Sequence, residues 1–294
     1  EALMRGADAA MYRAKAAGPG GWAVYDAGMH ARALARLRLE TELRGALEGG
    51  AITVHYQPIV HLGTGRIAGM EALARWRHPE RGWVPPAEFI PCAEETGLIL
   101  RLGRHVLDTA CAQLGAWSAA LPGAAELAMS VNVSVRQFAR AELADQVQAA
   151  LERGGVAPGR LRLEITESVL MDVGDGVPTL LRRLRSLGAA TWMDDFGTGF
   201  SSLSTLHRLP MDGVKVDRSF LAGDGAEARG GPVLAAIAGL ARGLGLQTVA
   251  EGVETPAQLD RVRALGCDHA QGYLISPPLD AAAMLALLAQ NRRW

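Results

Sequence analysis

The sequence predicts an α/β fold: a TIM-like (β/α)8 barrel of mostly parallel strands, preceded by a short helical linker and the end of another domain. Three observations carry this expectation. From Ile52 onward strand-like and helical runs alternate, the pattern of parallel strands joined by crossover helices. Eight strand candidates can be counted within about 240 residues, the number and length of a closed barrel. No GxGxxG opens a helix after the first strand, so an open doubly wound sheet fits less well.

Residues 1–30 stand apart. Ala7 to Ala17 reads as a helix that stops at Gly18-Pro19-Gly20-Gly21, and Gly21–Tyr25 as a single strand. One helix and one strand cannot make a core, so this stretch reads as the tail of a neighbouring domain. Residues 31–50 form a helical linker, with Leu34, Leu37, Leu43 and Leu47 as its apolar positions and Gly49-Gly50 as its end. The barrel is expected over 51–294. Its strands are Ile52–Tyr56, Arg66–Ala72, Leu127–Val133, Leu161–Ile165, Ala189–Met193, Gly213–Val216, Gln247–Ala250 and His269–Leu274. Its helices are Phe89–Trp117, Ala141–Arg153, Val177–Leu187, Ser202–His207, Pro232–Leu244, Pro256–Leu265 and Ala281–Gln290.

Composition narrows the function class. Of 294 residues 49% are hydrophobic, which excludes a disordered chain. A net charge of −1 gives no electrostatic case for duplex nucleic acid or an anionic membrane. No run approaches the ~18 apolar residues that would span a bilayer, and the first residues lack a signal-peptide pattern. Cys92, Cys111 and Cys267 form neither a disulfide framework nor a CxxC pair, and they read as buried thiols in a reducing, cytoplasmic compartment. A start at Glu1 suggests a fragment excised from a longer protein.

The informative feature is where acids and amides fall. Glu71 ends the second strand and Asn132 sits in the third. Glu164 lies in the fourth, Asp194-Asp195 close the fifth, and Lys215 is in the sixth. Glu251 ends the seventh and Gln271 is at the eighth. Period-2 alternation places Glu164 opposite Leu163 and Ile165, Asn132 opposite Val131 and Val133, and Lys215 opposite Val214 and Val216. Each alone is more simply a solvated loop or turn residue. Seven successive strands delivering a polar residue at one level point instead to the mouth of a barrel, where catalytic groups sit. Five carboxylates need cations, and two divalent ions with Lys215 would neutralise them. Oxygen ligands without Cys or His select Mg²⁺ or Mn²⁺. The residues alone therefore suggest a two-metal phosphohydrolase, with enolase-type Mg²⁺ chemistry as the competitor.

Nine segments in order then carry a resemblance: YQPIV (56–60), EALARWRHP (71–79), FIPCAEETG (89–97), VNVS (131–134), LEITES (163–168), DDFGTGFSSL (194–203), LPMDGVKVDRSF (209–220), AEGVET (250–255) and QGY (271–273). They resemble the EAL-domain family of bacterial cyclic-di-GMP phosphodiesterases over about residues 51–290. Residues 1–30 resemble the C-terminal end of a GGDEF domain.

The resemblance implies hydrolysis of cyclic-di-GMP to linear 5′-pGpG, a catalytic set of Lys215, Glu251 and Glu71, and two divalent cations. Glu71, Asn132, Glu164 and Asp194 would hold one cation, and Asp194, Asp195 and Glu251 the second. Gln57, Arg75, Gln271 and Pro277 are its candidates for the dinucleotide. Glu167 and Glu254, with the loop Phe196-Gly197-Thr198-Gly199, would support the site. A homodimer through the barrel is expected, and a non-catalytic cyclic-di-GMP receptor is the alternative. Two positions depart from the family pattern. Phe200 replaces a more usual Tyr, and Trp192 stands where a small aliphatic residue is usual. Trp192 facing the helices would be a packing matter; facing inward it would crowd the metals.

Overall fold

The computed structural model describes residues 11, 22, 24, 26–167, 177–197, 209–221 and 227–294. The helix expected over Ala7–Ala17 lies almost entirely outside them, and that over Ser202–His207 wholly outside, as do Thr198, Gly199 and Phe200. The chain divides into two compact units, 1–52 with 76–98, and 53–75 with 99–294.

In the first unit, helix α1 (Ala27–Glu48) covers the expected linker and buries Leu39, Leu43 and Ala46. It packs on α2 (Pro86–Thr96). Trp76, 1% exposed, meets Phe89 edge-on at 5.8 Å. The single helix expected over Phe89–Trp117 is two, α2 and α3 (Ile99–Ala120). Gly97 at φ 80° adopts the left-handed conformation that closes α2.

The second unit is the barrel. Strands β1 (Ile52–His61), β2 (Arg66–His78), β4 (Ala128–Asn132), β5 (Leu161–Thr166), β6 (Ala190–Phe196), β7 (Gly213–Val216), β8 (Gln247–Ala250) and β9 (His269–Gln271) pair in that order, and β9 returns to β1. The expected barrel of eight strands is thus observed. β2 and β4 through β9 run parallel, while β1 is antiparallel to β9. β1 runs five residues beyond the expected Tyr56, straight through Pro58. A short β3 (Gly82–Val84), unexpected from sequence, pairs with the end of β2 in the first unit.

Around the barrel lie α3, α4 (Val135–Phe138), α5 (Leu143–Gly154), α6 (Val177–Ser186), α7 (Glu227–Gly243), α8 (Pro256–Ala264) and α9 (Ala281–Ala289). Leu161, Leu163, Ile165, Val214 and Val216 are at most 1% exposed, on the helix-facing side that alternation assigns them. No helix among the described residues is long and apolar enough to cross a membrane. The three cysteines are buried and unpaired, as expected.

The barrel interior is closed by Trp192. It lies in register with Glu164 on β5 and Gly213 on β7, so it points inward, and it packs against Ile59 of β1 and Val249 of β8. Gly213 makes the room: a Cβ there would stand 2.6 Å from the indole. The large residue and the small one on adjacent strands fill one layer together.

Candidate active site

Above that layer the strands deliver their polar residues to one place. Lys215, 1% exposed, lies on β7 two residues beyond Gly213, with its ammonium among four carboxylates. It is 2.6 Å from Glu251 Oε1, 2.7 Å from Glu164 Oε2, and 3.3 Å from both Glu71 Oε2 and Asp194 Oδ1. Glu71 is held from two further sides. Asn132 Nδ2 donates to its Oε1 at 2.6 Å, and Gln271 Nε2 to its Oε2 at 2.7 Å. Gln271 also donates to Gln57 Oε1, and Gln57 Nε2 to the Ser276 carbonyl.

Asp194 and Asp195 should face opposite sides of a regular strand. The β6–β7 register slips between Met193 and Phe196, placing one extra residue in β6, and Asp195 takes φ 54°. Such a bulge re-aims side chains. One carboxylate oxygen from each of Asp194, Asp195 and Glu251 lies within 4.8 Å of the others. Asp195 N–H donates to Asp194 Oδ1 at 3.0 Å, holding the turn.

The loops that follow the strands are pinned by capping. After β4, Ser134 and Gln137 form a reciprocal box at the start of α4. After β8, Thr255 and Gln258 do the same at α8, and Gln258 Oε1 also accepts the Glu254 N–H at 2.8 Å. The segment carrying Glu251 and Glu254 is thereby tied to a helix.

Electrostatics show what the cluster lacks. Burial opposes charge on Lys215, but attraction from Glu164, Glu71, Glu251 and Asp194 outweighs it and keeps the ammonium protonated well above the usual lysine range. Burial also opposes charge on Glu71, yet Lys215 and its two amide donors carry its carboxyl below the usual range. Glu164 is pushed well up by burial and by repulsion from Glu71 and Asp194, which Lys215 only partly offsets. Glu251 is pushed up to about 7, first by burial, then by Asp194 and Glu71. Asp195 is raised by burial and by Asp194 beside it. One lysine is thus too little positive charge for five acids. The donors are carboxylate oxygens and the Asn132 carboxamide, whose nitrogen is committed to Glu71, leaving its oxygen for a cation. This set fits hard divalent ions.

The acids open onto a cavity of about 300 Å³ lined by Gln57, Glu71, Leu73, Asp194, Lys215, Arg218, Glu251, Gly252, Glu254, Gln271, Gly272 and Tyr273. Leu73, Arg218 and Tyr273 were not singled out by sequence reasoning. Tyr273 is 66% exposed at the rim, and its place two residues after Gln271 was the available signal.

Arg75 and Pro277 are not among the lining residues. The Arg75 guanidinium donates to the Ala74 carbonyl at 2.9 Å, and Pro277 O accepts from Ser276 Oγ. Glu167 follows β5 half-buried, and Phe196 is buried against Val216 across β7. A Cβ on Gly197, at φ 95°, would meet the Phe220 ring at 2.8 Å. Trp192 faces inward, in register with Glu164 and two residues before Asp194.

Comparison with known proteins agrees with this geometry. A sequence profile described as EAL domain matches residues 40–278. An uncharacterized protein, y4lL, of Sinorhizobium fredii is 46% identical over 97% of this chain and 34% of its own length. The bifunctional diguanylate cyclase/cyclic di-GMP phosphodiesterase MucR of Pseudomonas aeruginosa is 43% identical over 98% of this chain and 42% of its own. The chain thus spans about a third to two fifths of the length of these relatives. The solved structure of the PaMucR phosphodiesterase in complex with c-di-GMP superposes with a TM-score of 0.79 at 43% identity, over 84% of this chain and 99% of that one. With the profile covering most of its length and the acid-lined barrel mouth in place, the chain belongs to the EAL domain family.

Proposed function

We propose that this chain is a metal-dependent phosphodiesterase that hydrolyses cyclic di-GMP to linear 5′-pGpG. The observation that carries the reading is a single buried lysine among four carboxylates, two of which form an acidic trio with Asp195, at the mouth of an EAL-family barrel. Relatives named for cyclic di-GMP phosphodiesterase activity and a neighbour solved in complex with c-di-GMP support the substrate.

Glu71, Asn132, Glu164 and Asp194 would hold one Mg²⁺ or Mn²⁺, and Asp194, Asp195 and Glu251 a second. When bound, the two cations supply a water acidified enough to attack phosphorus and neutralise charge on the phosphoryl oxygens. Lys215, kept protonated by its neighbours, donates hydrogen bonds to the attacking oxygen and offsets charge as it develops. Attack at phosphorus with departure of the 3′ oxygen opens the ring and leaves a 5′-phosphate. Gln57 and Gln271 are tied together at the cavity wall and present amides to the dinucleotide. Exposed Tyr273 offers a ring face for a guanine, and Arg218 a guanidinium for a phosphate. Arg75, within electrostatic reach of Tyr273 and Glu71 at the cavity, is a further candidate for a substrate phosphate, and Pro277 for the dinucleotide. We further propose a homodimer through the barrel; a monomer by light scattering at micromolar concentration would contradict it.

The test is product analysis. The chain is incubated with cyclic di-GMP and Mg²⁺ or Mn²⁺ beside a Glu71→Ala control, and nucleotides are separated by chromatography. Formation of pGpG by the intact chain alone is the expected result. Tight binding of cyclic di-GMP without product would replace the enzyme with a receptor.

A further inference from the structure

Below the acid cluster the barrel holds a second positive charge. Arg162 lies two residues before Glu164 on β5, so the two side chains leave the strand on the same side. Its guanidinium carbon stands 4.7 Å from the centroid of the Trp192 ring, a cation–π contact. Trp192 is itself 2% exposed and wedged between Ile59 and Val249, so the platform under Arg162 is rigid. None of the ion pairs found among the described residues involves Arg162, and its Nη1 is buried with no hydrogen-bond partner.

A guanidinium nitrogen buried without a partner is costly unless charge nearby compensates it. The compensating charge is the layer above. Five carboxylates face one lysine, and Arg162, two residues before Glu164, is a further cation beneath them. We propose that Arg162, clamped on Trp192, is a fixed counter-charge to the acid cluster: it stabilises the cluster without divalent ions and weakens its affinity for them. The inference rests on the metal-binding reading given above. Arg162 is a positioning and electrostatic residue here, since it touches no substrate.

The sign separates this role from a packing role. Deleting a packed side chain loosens the ligands and weakens cation binding; deleting a repelling charge strengthens it. A unit charge ~10 Å from a divalent ion changes its affinity about fourfold even when screened as in water, and more in a protein interior.

The experiment is Mn²⁺ binding by the full metal-free chain without substrate, at low ionic strength, read from the paramagnetic resonance signal of free Mn²⁺. Arg162→Met and Arg162→Gln are expected to bind at least about fourfold more tightly than the parent, and Arg162→Lys to stay within about twofold. Metal-free, both neutral variants are expected to melt below the parent, with the gap narrowing as Mn²⁺ is added. Two neutral side chains of different polarity are used so that one folded variant suffices. Equal or weaker Mn²⁺ binding by a folded neutral variant overturns the inference alone. A parent chain that binds no Mn²⁺ removes the metal reading, and the inference with it.

Discussion

Lys215 Nζ and Glu164 Oε2 lie 2.7 Å apart with both side chains 1% exposed, on strands that are not adjacent in the barrel. A buried pair of this kind is weak evidence for stability, but breaking it leaves a stranded charge. In metal-free Lys215→Met a loss of roughly 3–5 kcal/mol is expected by urea denaturation. Millimolar Mn²⁺ should recover much of it, because divalent charge replaces the ammonium. Turnover should fall about a hundredfold or more even in the metal-loaded variant. Unchanged turnover would remove Lys215 from the chemistry.

The bulge at Asp195 separates conformation from charge. Asn tolerates the left-handed region, so Asp195→Asn should leave stability within ~0.5 kcal/mol while Mn²⁺ affinity drops about tenfold. Asp195→Val should instead cost roughly 1–2 kcal/mol, since a branched side chain resists φ 54°. Paired calorimetric titrations and melting curves distinguish the two.

The Trp192–Gly213 layer should behave as one volume. Trp192→Ala is expected to cost about 3–5 kcal/mol through the cavity it leaves. Gly213→Ala is expected to cost about 1–3 kcal/mol through overpacking against the indole. Trp192→Leu combined with Gly213→Ala should cost less than the sum of the single changes, measured as a coupling energy in urea.

His269 makes acid stability measurable. It is buried at 3% exposure, and burial, reinforced by Arg162 and His61, lowers its pKa from 6.5 to about 4. Protonation therefore favours the unfolded chain. Its contribution is complete above pH 6.5 and is lost as pH falls toward 4, at most ~3 kcal/mol. Urea midpoints of the parent should fall across this window more steeply than those of His269→Asn. Parallel curves would mean that His269 does not titrate there.

Chelation tests the donor set. Stripping divalent ions should abolish turnover, and Mg²⁺ or Mn²⁺ should restore it in the parent. Glu251→Gln, which removes one charge from the acidic trio, should need at least about tenfold more cation for half-maximal rate. Full activity in excess chelator would sink the metal-dependent reading.

The site was legible wherever a one-dimensional rule sufficed. Alternation along LRLEITE and VKVD put Glu164 and Lys215 on the inner side without knowledge of their neighbours, and the helix-facing Leu161, Leu163, Val214 and Val216 are buried as that rule demands. Residue types then pointed to hard cations. What alternation could not supply was any feature made by two strands at once. The slip that turns Asp195 toward Asp194 exists only against the β7 register. Trp192 can face inward because Gly213, 21 residues later on the neighbouring strand, leaves it space. Gly97 divides a helix that periodicity alone would continue. Arg218 and Tyr273 join the cavity only when the ends of β7 and β9 meet at one rim. By itself, then, the chain determined which chemical groups each strand presents and on which side, because those follow from local backbone geometry. Tertiary structure decided their depth, their mutual distances and the charge they share, because those depend on strand register and on volumes supplied from distant positions.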